Sequence, residues 1–177
     1  MKRRSFIIKS AVSALSAAGL YSCVSVKRAL SRKKGLLTQQ NLLTLRALHQ
    51  HLLPPGESSP GALELGTDFY LSHEISRIPW REKNLLISGL LKLNARALKD
   101  FKRPFKDLKS EEKESLLKAC QKNPENDLWL ELVITYLLEG ALAAPAYGGN
   151  RNTKAWKWLN HNPGFPLPFP GKRYYEL

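Results

Sequence analysis

Prolines decide most of what the middle of this 177-residue sequence can fold into. Pro54, Pro55, Pro79, Pro104 and Pro124 fall at the joints between apolar runs. Proline lacks the N–H that a helix interior uses, and it pushes the residue before it away from helical geometry. Helices must therefore stop at these points, and the pieces between them have helical periodicity. Thr38 is placed to cap a first helix carrying Leu42, Leu45, Leu48, Leu52 and Leu53. Residues 57–61 form a polar turn. A second helix begins near Thr67, with Phe69, Tyr70, Ile75 and Ile78 available for burial. A third spans 80–101 with Leu86, Leu90, Leu93, Ala97 and Phe101. Ser110 is placed to cap a fourth, with Glu111, Glu112 and Glu114 near its positive end and Leu116, Leu117 and Cys120 on its apolar face. A fifth runs from about 126 to 142, and its high apolar content marks it as central. Alternating strand patterns and internal repeats are missing. The expected fold is all-α: a compact bundle of about five helices over 37–143, an N-terminal export signal before it and an extended Pro/aromatic tail within 144–177.

The charge belongs mainly to the segment before that bundle. The formal net charge is +13, from 28 Lys and Arg against 15 Asp and Glu. Nine of the basic residues precede residue 35, where acids are missing; the other nineteen face all fifteen acids. A basic balance suggests nucleic acid or anionic membrane, but the bundle carries only a small part of the excess. Nucleic acid is accordingly not an expected partner.

Residues 1–23 read as an export signal. Arg3, Arg4, Ser5, Phe6 and Ile7 resemble a twin-arginine motif, with Arg3, Arg4 and Phe6 as the recognised residues. An ordinary secretory leader with two arginines is the alternative. The apolar stretch that follows is shorter than the ~20 residues of a membrane span. Leu20, Tyr21, Ser22 and Cys23 resemble a lipobox, in which Cys23 would be lipidated; a plain leader cysteine is the alternative. Residues 24–36 form a basic tether whose lysines and arginines would suit anionic headgroups or simple solvation. With two cysteines in the chain, lipidation of Cys23 would leave Cys120 alone, as a small core residue.

Chemistry-bearing motifs are scarce. Dinucleotide-binding, haem-attachment and phosphate-loop patterns are missing. His49 and His51 fall on different faces of one helix, which makes a poor metal pair. The segment that looks specified is Tyr147, Gly148, Gly149, Asn150 and Arg151, followed by Trp156. Its glycines permit close backbone approach, and Tyr, Arg and Trp dominate interface hot spots. The same residues would also make a tight internal turn packed on the fifth helix, and both roles stay open. The proline- and phenylalanine-rich tail after it cannot build its own core, so it must lie against the domain or a partner.

These motifs resemble the gluconate 2-dehydrogenase subunit 3 family. Its pattern is approximately D-P-x-Y-G-G-N-R-D, then G-W-K, then Pro-Gly. Here Pro145 and 147–151 match, as do Trp156-Lys157 and Pro163-Gly164. Leu52-Leu53-Pro54 and Pro60-Gly61-Ala62 match its earlier pattern of a helix closed by a proline turn, with Pro-Gly-Ala opening the next. Ala144, Asn152 and Ala155 depart from it. The resemblance implies a non-catalytic accessory subunit without a catalytic, cofactor-binding or metal-binding residue of its own. Its partner would be an FAD-dependent dehydrogenase of sugars, sugar acids or alcohols, with a haem c cytochrome as a further subunit. It would help the flavoprotein mature and leave on its twin-arginine signal. The expected location is periplasmic, attached to the inner membrane, and the expected interface is Tyr147, Gly148, Gly149, Asn150, Arg151 and Trp156. The competing expectation is a free-standing, lipid-anchored periplasmic helical binding protein.

Overall fold

The computed structural model describes residues 37–163. The export motif, Cys23, the basic tether and the tail beyond Pro163 lie outside the described residues. Seven α-helices and three short 3-10 turns make up the described chain, without a strand among these residues. The helices are α1 (Gln39–Leu52), α2 (Ala62–Leu65), α3 (Thr67–Glu74), α4 (Trp80–Phe101), α5 (Ser110–Gln121), α6 (Pro124–Leu142) and α7 (Lys154–Trp158).

Local chemistry accounts for most of these boundaries. The Thr38 hydroxyl accepts from the Asn41 N–H at 3.2 Å and starts α1. Asn123 does the same for α6 through the N–H groups of Glu125 and Asn126, and Pro124 occupies the first helical position, where its missing N–H costs nothing. The helix thus begins two residues before the expected start. At α5 the expected cap at Ser110 is corrected: Lys109 holds the capping position and Ser110 is already helical. The Glu112 carboxylate turns back to accept the Lys109 N–H at 2.7 Å and binds Arg103 through both oxygens. A carboxylate three residues in thereby accepts the capping residue's own N–H, which is the return half of a capping box.

Two helices add to the expected five. The first is α2, a single turn between Gly61 and Gly66 that opens at Ala62, where the family resemblance has a helix begin; Gly66 sits at φ 75° and serves both as its end and as the start of α3. The second is α7, inside the stretch expected to be loop and tail.

The helices assemble around α6, which packs against α2, α3, α4, α5 and α7. α1 closes the other side against α2, α3, α4 and the turn at Phe105–Asp107. The main core joins Leu45 and Leu48 of α1, Leu71 of α3, Leu86 and Leu90 of α4, and Val133 of α6, all buried. Phe105 is fully buried, and its N–H is held by the Asn94 side chain at 3.0 Å. A second, small cluster of Leu65, Ala141 and Ala155 joins α2, α6 and α7 and seats the segment described next.

Candidate functional site

The loop between α6 and α7 closes the C-terminal end of α6. A helix leaves its last four carbonyls without internal partners. Here the Glu139 carbonyl accepts from the Ala143 N–H at 2.8 Å, and the Gly140 carbonyl accepts from the Asn150 N–H at 2.8 Å. The Leu142 carbonyl accepts from the Trp156 indole N–H at 2.8 Å. Residues ten and fourteen positions downstream therefore serve as caps, and this explains why the segment requires these residue types.

Each position has a steric or hydrogen-bonding reason. Gly149 is buried with its Cα against α6, and a Cβ there would collide with the Gly140 carbonyl oxygen. Gly140 in turn lets Tyr70 approach the helix closely, a Cβ there falling 3.0 Å from the tyrosine side chain. Gly148 has φ 98°, which disfavours any side chain. Asn150 has φ 41°, is fully buried, and accepts the Ala155 N–H on its side-chain oxygen at 2.9 Å. Asparagine suits this position because it tolerates left-handed backbone and brings an acceptor to the start of α7.

The interface residues expected from sequence therefore divide into two groups. Gly149, Asn150 and Trp156 are covered by the chain itself and act by fixing the loop. Tyr147, 47% exposed, and Arg151 stand at the surface, with Gly148 between these extremes. The Arg151 guanidinium lies 5.7 Å from the centre of the Phe69 ring, at cation–π distance. Its stem crosses Gly66, where a Cβ would strike it. Phe69, 39% exposed, is thus framed by Arg151 and Gly148.

The sequence reading offered Phe69 and Tyr70 for the core; they belong to this surface instead, while Leu71, Ile75 and Ile78 are buried. Gly66 and Gly140 were not singled out. A glycine inside an apolar helical run was their available signal, since such positions often mark close backbone approach.

The site continues into an open groove of about 710 Å³ between α3 and the end of α6. Tyr70, Glu74, Leu138, Glu139, Leu142 and Tyr147 line it. The Tyr70 hydroxyl donates to Glu139 at 3.3 Å. Burial, with Glu139 adding to it, pushes the Tyr70 phenol up to about 12. The arrangement offers apolar contact, aromatic faces, one cation and two carboxylates.

The remaining titratable candidates lie elsewhere. His49 is fully buried and hydrogen-bonds Thr67 at 2.9 Å, whereas His51 meets Glu114 at 3.1 Å. The two imidazoles thus serve different elements. Cys120 is half-buried against the main core, and burial raises its thiol. Among the described residues, no three His, Cys, Asp or Glu side chains converge as metal ligands, and no helix is long and apolar enough to cross a membrane.

The family model for gluconate 2-dehydrogenase subunit 3 matches residues 39–164. The chain belongs to the gluconate 2-dehydrogenase subunit 3 family. No match was found among curated proteins or solved structures. The matched region contains every described helix and the whole capping loop, so the loop geometry above belongs to the family region. Membership in the gluconate 2-dehydrogenase subunit 3 family implies an accessory subunit associated with the other subunits of a dehydrogenase complex.

Proposed function

We propose that this chain is the non-catalytic accessory subunit of an exported FAD-dependent dehydrogenase acting on sugars, sugar acids or related alcohols. It binds the flavoprotein, assists its maturation and carries it through the twin-arginine route on Arg3, Arg4 and Phe6. Oxidation takes place on the FAD of the large subunit, and a haem c subunit passes electrons onward. This chain supplies no redox group. Lipidation at Cys23, with the basic tether behind it, would keep the complex at the periplasmic face of the inner membrane.

The observation that carries the reading is the family match together with the loop it contains. The chain fixes 148–150 with its own carbonyls and leaves Tyr147 and Arg151 at the surface beside Phe69. A preordered aromatic–arginine patch loses little conformational freedom on docking, which is how a small surface can hold a large partner.

Cell fractionation tests the export half. Removing this chain should leave the flavoprotein in the cytoplasm, and restoring it should return the flavoprotein to the membrane fraction. An Arg3→Lys, Arg4→Lys double variant should retain both proteins in the cytoplasm. Unchanged export of the flavoprotein without this chain would refute the escort role.

A further inference from the structure

Among the described residues, α6 has an outer face that the fold leaves open. Leu128, Ile134, Leu138 and Leu142 recur there at helical spacing and are 57%, 37%, 48% and 45% exposed. The buried side chains of the same helix, among them Leu130, Val133 and Leu137, lie on the opposite side. At its C-terminal end the open face runs into the groove against α3, walled by Tyr70 and Tyr147. Contiguous exposed apolar surface of this kind marks an interaction site.

The charges on this face narrow what it meets. In a chain of net +13, the 19 residues of α6 hold Glu125, Asp127, Glu131 and Glu139, and neither Lys nor Arg. Across the groove, α3 holds Asp68 and Glu74, and again neither. Three of these acids are answered within the chain: Glu125 by Lys92 at 2.7 Å, Asp68 by Arg46 at 3.3 Å and Glu74 by Arg77 at 2.6 Å. Glu131 and Glu139 are exposed beside the apolar residues, and neither pairs with a Lys or Arg among the described residues. Their separation along the helix axis is roughly 12 Å. An anionic bilayer repels such a surface. A second copy of the chain would set the same acids against one another across a two-fold axis. A protein segment with apolar side chains and Lys or Arg answers both the apolar and the acidic features.

We propose that this face of α6, with its groove, seats such a basic, apolar segment of the dehydrogenase's large subunit. The proposal rests on the accessory-subunit reading; membership in the family implies association with the other subunits of the complex. It extends the docking surface from Tyr147 along α6. The segment's apolar side chains cover Leu128, Ile134, Leu138 and Leu142, and its cations meet Glu131 and Glu139. Exclusion of water by the apolar contacts strengthens those ion pairs.

The test is photo-cross-linking in the complex. The tagged full-length chain, with a benzophenone amino acid replacing Leu138, is irradiated in membranes and the cross-linked peptides are mapped. They should come from the flavoprotein and contain apolar residues with Lys or Arg. Glu131→Lys with Glu139→Lys should lower recovery of the flavoprotein about tenfold or more, with the far-ultraviolet circular dichroism of the chain unchanged. Glu57→Lys with Glu111→Lys makes the same change of charge at exposed positions outside α6 and should leave recovery within about twofold. Cross-links only to lipid or to a second copy, cross-links to an acidic segment, or equal recovery with the two double variants would each overturn the proposal. In those cases flavoprotein that still elutes with the wild-type chain upholds the subunit reading. A wild-type chain that elutes without flavoprotein overturns that reading and this proposal with it.

Discussion

Gly149 and Gly148 are adjacent, and the structure asks different things of them. Gly149 is required for space and Gly148 for backbone conformation. Gly149→Ala must displace the Gly140 carbonyl and break its bond from Asn150, so it should cost about 2–4 kcal/mol. Gly148→Ala meets only the edge of Phe69 at 3.2 Å and a strained φ, so it should cost about 1 kcal/mol. Urea denaturation of the two variants gives the comparison, and equal costs would contradict the capping geometry. His49 supplies the pH dependence at this scale. Its ring bonds the Thr67 hydroxyl, which itself donates to the Ala62 carbonyl at 3.2 Å, so Nδ1 carries the proton. Burial lowers this imidazole from 6.5 to about 4. The unfolded chain therefore binds the extra proton first as pH falls. The stability from the neutral imidazole is complete above 6.5 and is lost as pH falls toward 4, by about 3 kcal/mol. Carboxylates titrate in part of the same window, so the measurement is the difference between wild type and His49→Leu. The variant should lose less stability than wild type between pH 7 and 4, and parallel profiles would sink the assignment.

At the scale of the elements, proline and apolar spacing made α1, α4 and α6 legible in the sequence. The bounds of α4 are those expected, because Pro79 precedes it and an uninterrupted apolar period runs through it to Phe101. What could not be read locally was made by tertiary contact. α2 is one turn between two glycines, and α7 is five residues that depend on the Asn150 side chain and on Trp156 reaching back to α6. Neither is long enough to form alone. Asn152 and Thr153 take positive φ in the turn between Asn150 and α7, at 56° and 57°. The motif at 147–151 was visible as a specified loop, but its main partners, Gly140 and Leu142, are carbonyls that no side-chain pattern advertises. Helix crossing is the other feature set at this scale. Gly89 of α4 leaves room for the Trp129 indole of α6, which donates to the Leu86 carbonyl at 3.3 Å and is 2% exposed. Gly89→Ala should push the two helices apart at a cost of about 1–3 kcal/mol. It should also move Trp129 emission to longer wavelength as water gains access. An unchanged spectrum and melting temperature would mean the two helices do not meet through this glycine.

For the whole molecule, the net charge of +13 divides into a strongly basic segment before residue 35 and a remainder close to balance. Its described residues include a self-capped loop that presents Tyr147 and Arg151, with exposed Leu138 and Leu142 of α6 beside it. The family match places the chain within a dehydrogenase complex, and the loop is where we expect the large subunit to dock. Tyr147→Ala and Arg151→Ala remove exposed side chains without touching the capping carbonyls, so both variants should fold and melt within about 1 kcal/mol of wild type. Together they should lower recovery of the flavoprotein by tenfold or more, roughly the effect of a single interface hot spot. The most direct test is affinity purification of the tagged chain from solubilised membranes, read by the flavin absorbance near ~450 nm of the eluate and by the stoichiometry of its bands. The account predicts a flavin-containing large subunit in equal amount with the wild-type chain and little with the double variant. A folded, membrane-derived chain that elutes without flavoprotein would contradict it.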